Sequence, residues 1–279
     1  MSEVKITAAE INQLRQMTGA GMMDCRKALT ENNGDIEAAI DWLRKKGQKV
    51  AALRGDRDAK EGVVLAKTNE SNSTGITLCL SCETDFVSKN TDFIAFAQSI
   101  IDAAIANDVK SVDELNAIEI GGAKISDLVN DKLASIGEKI GISKFERIEA
   151  PFVSSYIHGA NRMGVLVGLS EAQAEVGKDV AMQIAAMNPV AIDPATVSSE
   201  VVEREKGIIV DLIKNDPKMA GKPDEMISKI ADGKLNSFFK ESTLLAQAFV
   251  KDGGMSVGDY IKSKGKDLSV LSFKRVALG

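Results

Sequence analysis

Glycine, a run of small or aliphatic positions and a closing serine recur in the same order at two distant places: Gly75-Ile76-Thr77-Leu78-Cys79-Leu80-Ser81 and Gly164-Val165-Leu166-Val167-Gly168-Leu169-Ser170. Each run is strand-like, and each is preceded by another, Gly62 to Lys67 in the first case and Ser154 to Gly159 in the second. Turn-rich residues lie between (Asn69 to Ser73, Ala160 to Arg162), so the pattern predicts two β-hairpins. Each hairpin leads into an amphipathic helix. Phe93, Phe96, Ala97, Ile100, Ile101 and Ala104 recur at helical spacing after the first; Val180, Ile184, Ala185 and Met187 do so less strictly after the second. The chain thus reads as two hairpin-plus-helix units of one design. The strand-like Ile142 to Glu149 is assigned as the opening of the second unit, and Leu268 to Leu278, with Phe273, Val276 and Leu278, as the strand that closes its sheet.

Ahead of the first hairpin the apolar spacing is helical. Thr7 and Glu10 form a capping-box pattern before Ile11, Leu14 and Met17, and Gly19-Ala20-Gly21 breaks that helix. A second helix runs from Met22 through Leu29 to a stop at Asn32-Asn33-Gly34; Asp35 then caps a third, with Ile36, Ala39, Ile40 and Leu43 on one face. Three short helices in so few residues resemble a ubiquitin-associated fold. Of Met22 and Met23, one is expected in the core and the other outside as a soft, adaptable contact. From Arg44 to Lys60 there are seven basic and two acidic residues, read as a solvated, partly helical linker rather than a nucleic-acid arm.

Past the first unit, Ser111 to Leu115 starts a helical stretch that reaches Ile140 with an interruption at Gly121-Gly122. Further on, Pro189 and Pro194 bracket a turn, and Ser198-Ser199 lead into a charged helix ending at Asn215-Asp216-Pro217. A second helix, Asp224 to Lys240, returns with Met226, Ile227, Ile230, Phe238 and Phe239, which predicts an antiparallel hairpin joined by a Pro/Gly turn and projecting as an arm. The expected fold class is α+β: a three-helix ubiquitin-associated-like module (1–46), a linker (47–60), and two related core subdomains (61–140 and 141–279). Each subdomain packs a small antiparallel sheet on helices, and the second carries the inserted helical hairpin at about 199–240.

Laid side by side, the two units differ most just after the shared serine, where the first carries Thr84 to Asn90 and the second only Glu171-Ala172-Gln173-Ala174. Core residues of a duplication recur in both copies, so a loop found in one is the better candidate for function. Phe86 sits there beside Asp85. Exposing such a ring forgoes about 2 to 3 kcal/mol of burial, so it is expected to have another protein to push into; the alternative is that it folds back beneath its own loop.

Composition narrows the function classes. A length of 279 residues allows about two domains, while a formal net charge of −5 from 35 basic and 40 acidic residues and an aromatic content of 4% argue against direct nucleic-acid binding. No stretch approaches the roughly 20 apolar residues of a membrane span. The start, Met1-Ser2-Glu3-Val4-Lys5, lacks the apolar core of a signal peptide, so a soluble, cytoplasmic protein without a membrane partner is expected. Cys25, Cys79 and Cys82 are an odd set that fits free thiols in a reducing compartment. Cys79 and Cys82 form a C-x-x-C, but at a strand end an offset of three tends to put them on opposite faces, against a redox pair. With His158 as the single histidine, and no P-loop, nucleophile elbow or paired-histidine helix, neither a metal, a cofactor nor covalent catalysis is expected. Two rival readings stay open on the residues alone: an adaptor whose three-helix module binds a ubiquitin-like or peptide partner, and a thiol oxidoreductase using Cys79 and Cys82.

Two long motifs carry a family resemblance: Leu14-Arg15-Gln16-Met17-Thr18-Gly19-Ala20-Gly21-Met22-Met23-Asp24-Cys25-Arg26-Lys27-Ala28-Leu29, and Ser81-Cys82-Glu83-Thr84-Asp85-Phe86-Val87-Ser88-Lys89. On these the chain resembles the elongation factor Ts family, guanine-nucleotide exchange factors of bacterial elongation factor Tu. The similarity continues through Ile136-Gly137-Glu138, Ser155 to Ala160 and Ser199 to Glu203. The resemblance implies elongation factor Tu, GDP-bound or nucleotide-free, as the partner. It implies that Thr84, Asp85, Phe86 and Val87 form the loop that disturbs the partner's magnesium and phosphate region, with Phe86 as wedge and Asp85 as its polar companion. Ile136, Gly137 and His158 would share that core contact surface, and Arg15, Met22, Met23 and Arg26 would form an N-terminal contact. Where relatives can carry Val-Met near the arm this chain has Val250-Lys251, so only Val250 transfers; an extra C-terminal helix found in some longer relatives is not expected after Leu278-Gly279. A homodimer through the arm is the self-association the layout allows.

Overall fold

The computed structural model describes residues 6–54, 57–217 and 223–279; for 48–54 only the backbone course is described. The chain opens with α1 (Ala8–Thr18), whose capping box is formed: the Thr7 hydroxyl oxygen accepts from the Glu10 N–H, and the Glu10 carboxylate accepts from the Thr7 N–H. Gly19 ends it in the left-handed conformation, φ +67°. Next come α2 (Met22–Glu31) and α3 (Ile36–Arg54), closed over Leu14, Cys25, Ala28, Leu29, Ala39 and Leu43. The third helix runs on to Arg54, into the stretch expected as linker, where Lys, Gln, Ala, Leu and Arg are all good helix formers.

The hairpin of β1 (Glu61–Thr68) and β2 (Thr74–Cys82) is followed by the one-turn α4 (Asp85–Ser88) and by α5 (Thr91–Ala106), capped by the Asn90 side chain. Then come α6 (Val112–Ala117), a two-rung hairpin of β3 (Glu119–Ile120) and β4 (Ala123–Lys124) around Gly121-Gly122, α7 (Ile125–Ile136) and β5 (Gly141–Glu149). Here the chain departs from expectation. β5 does not open the second unit; it pairs antiparallel with β2, Ser81 opposite Gly141 and Thr74 opposite Glu149, giving a sheet of order β1-β2-β5. The reason lies in β2, buried at every position: a strand covered on both faces cannot leave one edge of its backbone unpaired, and β5 fills that edge.

The second sheet repeats the scheme. β6 (Phe152–His158) and β7 (Met163–Leu169) form a hairpin, α8 (Ala174–Met187) covers it, and helices and a small hairpin intervene before the closing strand. These are the arm helices α9 (Ser199–Lys214) and α10 (Asp224–Ser242), the hairpin of β8 (Ala248–Phe249) and β9 (Asp252–Ser256), and α11 (Val257–Lys264). β10 (Val270–Ala277) then pairs with β7, as expected, for an order β10-β7-β6. So β5 is to the first sheet what β10 is to the second, and the chain passes between sheets at Ala150-Pro151. Met187, expected on the inner face of α8, is exposed at its last residue.

The two sheets stack face to face. Along β2, Ile76, Leu78 and Leu80 point to the core under α5, while Cys79 packs with Val64 and Val276 in the layer between sheets. Along β7, Val165, Val167 and Leu169 face α8, while Leu166 meets Val153, Ala66 and Ile148. The first glycines of the two echoed segments sit where the sheets come too near for a side chain. A Cβ on Gly75 would lie 2.7 Å from Val153 Cγ1, and one on Gly164 would lie 2.5 Å from Thr77 Oγ1.

In the arm, α9 and α10 close over Ile213, Ile227 and Ala231. The Pro/Gly turn expected between them falls partly outside the described residues. The three-helix module rests on the core through α3 and α7, where a Cβ on Gly47 would lie 2.9 Å from that of Ala134. No helix among the described residues is long and apolar enough to cross a membrane.

Candidate functional site

The chain leaves β2 at Cys82 and turns through Glu83-Thr84 into α4. The stretch expected as a loop is therefore a turn of helix, and Phe86 on it is 85% exposed, so the alternative that its ring folds back beneath its own loop is overturned. Its neighbour Val87 does turn inward, packing against the first core beside α5. Asp85 stays at the surface, where a hydrogen bond from Lys89 (2.7 Å) and the charge of that ammonium hold its carboxyl below the usual range.

What seats the turn is a second segment far away in sequence. Gly137 ends α7 with φ +79°, a conformation that costs glycine nothing, and the reversal delivers Glu138 to the start of α4. Its carboxylate accepts the N–H groups of Glu83 (3.1 Å) and Thr84 (3.0 Å) and the Thr84 hydroxyl (2.7 Å). In return the Glu83 carboxylate accepts the Lys139 N–H (2.6 Å) and pairs with Arg57 (3.0 Å). Ile136, exposed at the end of α7, shares one open groove with Phe86; Met17 and Gly19 from the end of α1 form its other wall.

Met17, the last of the apolar positions spaced along α1, is 58% exposed and lines the groove, a place that its spacing gave no signal of. Met22 (53%) and Met23 (74%) are both exposed, correcting the expectation that one is core. The inner face of α2 is made by Cys25, Ala28 and Leu29, and its first turn lies beyond that patch. Arg15 and Arg26 are exposed on the same module.

His158 ends β6, exposed, with Tyr156 Oη 3.0 Å from its Nδ1. The turn after it is tied to the first sheet: the Val64 N–H donates to the Asn161 carbonyl (2.7 Å), and Arg162 lies 3.4 Å from Glu61, itself opposite Cys82. His158 thus belongs to the end of the molecule from which α4 emerges. Val250 does not join it. It is exposed at the β8–β9 turn, its N–H held by the buried Gln183 side chain (2.8 Å). The adjacent Lys251, itself exposed, brings its ammonium to 2.6 Å from buried Asp179, whose other oxygen accepts the Tyr260 hydroxyl (2.7 Å). Burial and that carboxylate push the Tyr260 hydroxyl pKa well up.

The thiol chemistry left open by the sequence has no geometry to use. Cys79 lies between the sheets and Cys82 in the first core, and burial together with the Glu138 charge pushes the Cys82 thiol up to about 12. Among the described residues no group of three or more His, Cys, Asp or Glu could hold a metal ion.

Comparison with known proteins adds the following. A family model described as Elongation factor TS matches residues 83–279, and one described as UBA-like domain matches residues 8–49. The chain is 49% identical over 278 residues to a protein of Christiangramia forsetii, covering 99% of each chain. It is 47% identical to one of Amoebophilus asiaticus, covering 98% of this chain and 99% of the other. A protein of Chlorobium phaeobacteroides is 38% identical over 289 residues, with 99% of each chain covered. All three bear the name Elongation factor Ts.

Proposed function

The chain belongs to the elongation factor Ts family, and from that premise we propose that it speeds GDP release from elongation factor Tu by pressing the Thr84–Val87 turn into the partner's magnesium and phosphate region. The single observation that carries the reading is Phe86: a ring 85% exposed on a one-turn helix whose start is hydrogen-bonded to a second segment and whose Val87 is anchored in the core. A side chain presented so firmly to solvent suits insertion into another protein.

No bond is made or broken in such a mechanism. The factor and GDP oppose one another on the same partner, and whatever binding energy the factor spends on the nucleotide-free state is lost to GDP. Burying one phenyl ring is worth about 2 to 3 kcal/mol, and each 1.4 kcal/mol is tenfold, so the wedge alone accounts for roughly a hundredfold weakening of GDP. Ile136, Gly137 and His158 extend the contact from the same end of the molecule, and Asp85 adds charge beside the ring. Arg15, Met22, Met23 and Arg26 supply a second grip through the three-helix module, and Val250 a third at the β8–β9 turn. Self-association through the arm belongs to the same proposal, supported by the exposed Ile208 and Leu212 on α9.

Stopped-flow release of a fluorescent GDP from elongation factor Tu tests the wedge. Phe86→Ala is expected to slow factor-driven release by about two orders of magnitude while leaving thermal unfolding of the factor unchanged, because an exposed ring contributes little to its own fold. Release at the wild-type rate would remove Phe86 from the mechanism.

A further inference from the structure

A helix of four residues cannot hold itself. Its nucleation cost exceeds what one turn of backbone hydrogen bonds returns, so α4 needs outside anchors to keep Phe86 pointing in one direction. One anchor is Val87, packed in the first core. The other is at the start of the helix, where Thr84 is the N-cap residue but makes no capping bond with its own side chain. Its hydroxyl is instead turned to Glu138, which also takes the N–H groups of Thr84 and Glu83. One carboxylate therefore collects three donors at the entrance to the turn, at distances of 2.7 to 3.1 Å.

We propose that Glu138 is a positioning residue for nucleotide exchange: it fixes the entry of α4, and through it the direction of the Phe86 ring, without itself meeting the partner. The inference rests on reading Phe86 as the wedge. It assigns Gly137 a part as well, since only the reversal after α7 brings the Glu138 carboxylate to the turn, and it makes Ile136 and Phe86 one rigid unit rather than two independent contacts.

The side-chain geometry separates two substitutions. Glu138→Gln keeps a carbonyl oxygen for the two N–H groups and can donate its amide to the Thr84 hydroxyl oxygen, so the seat survives. Glu138→Ala leaves all three donors without an acceptor. In the free factor, Glu138→Ala is expected to speed amide hydrogen exchange at Glu83 and Thr84 about tenfold or more while β7 amides keep their protection; unchanged protection at Thr84 overturns the proposal. In GDP release at saturating factor, Glu138→Ala is expected to be about tenfold slow, equivalent to about 1.4 kcal/mol, and Glu138→Gln to stay within about threefold of wild type. In a Phe86→Ala background the alanine substitution should add less than about threefold, because its effect runs through the ring. Release at the wild-type rate in Glu138→Ala, or the same tenfold loss in both backgrounds, overturns the positioning role. Wild-type release in Phe86→Ala alone marks failure of the wedge reading instead. Should Glu138→Ala not fold, Glu138→Asp, which draws the carboxylate back by one methylene, is expected to show the same losses and serves in its place.

Discussion

Adding one methyl group at Gly164 should loosen the whole core. A Cβ there would lie 2.5 Å from Thr77 Oγ1, 3.2 Å from Val64 Cγ1 and 3.3 Å from Ala66 Cβ, all on the facing sheet. Thr77 is fully buried and its hydroxyl donates to the Leu65 carbonyl at 2.8 Å, so it cannot swing aside without giving up that bond. Overpacking of this kind costs about 1 to 3 kcal/mol, and a buried hydrogen bond strained or lost adds about 1 kcal/mol. Gly164→Ala is therefore expected to destabilise by about 2 to 4 kcal/mol, a large share of the 5 to 15 kcal/mol typical of a folded protein. Scanning calorimetry reads this as a fall in Tm. Gly141→Ala is the control, a strand glycine with nothing within 4 Å of its Cβ, expected to stay within about 0.5 kcal/mol. Thr77→Ala clears the nearest atom, so Gly164→Ala should cost less in that background. If Gly164→Ala proves as harmless as Gly141→Ala, the two sheets do not approach as described.

Two further outcomes follow from single positions. Burial raises the Asp131 carboxyl, in spite of the opposing charge of Arg44, so the folded state holds its proton more tightly than the unfolded chain does. That contribution favours folding in acid and is lost as pH rises through the raised value. Asp131→Asn is accordingly expected to raise Tm at pH 7, with the gain shrinking as pH falls through the raised value and gone below about 4, where an ordinary carboxyl is itself protonated; a gain independent of pH would contradict this. Gly207→Ala in α9, with nothing within 4 Å of its Cβ, should stabilise by about 0.5 to 1 kcal/mol through helix propensity alone, read as a shift of the denaturant midpoint, and no shift would contradict it.

What the sequence made legible was local. Thr7 and Glu10 specify their cap within four residues, and the two echoed segments do form the central strands β2 and β7. Strand β5 was misassigned because the bonds that decide its place join Gly141 to Ser81 across some sixty residues, and its own pattern fits either sheet. The echoed glycines were visible as a repeat, but their purpose lies in the approach of one sheet to the other, which periodicity does not encode. At the site, the unmatched stretch after Ser81 and the exposed ring within it could be read from the duplication. Glu138 could not, because its three hydrogen bonds bridge segments that are remote in sequence. Met22 and Met23 open a short helix where a single turn decides between core and surface, and spacing alone could not show that both lie outside.

The coupling between factor and nucleotide is reached most directly by titration calorimetry of the factor against elongation factor Tu, once nucleotide-free and once saturated with GDP. By linkage, the ratio of those two dissociation constants equals the factor's effect on GDP affinity. With wild-type factor GDP should weaken binding strongly, and Phe86→Ala should shrink the ratio by about a hundredfold, equivalent to the burial of one ring. An unchanged ratio in Phe86→Ala would show that the opposition to GDP resides elsewhere on the surface.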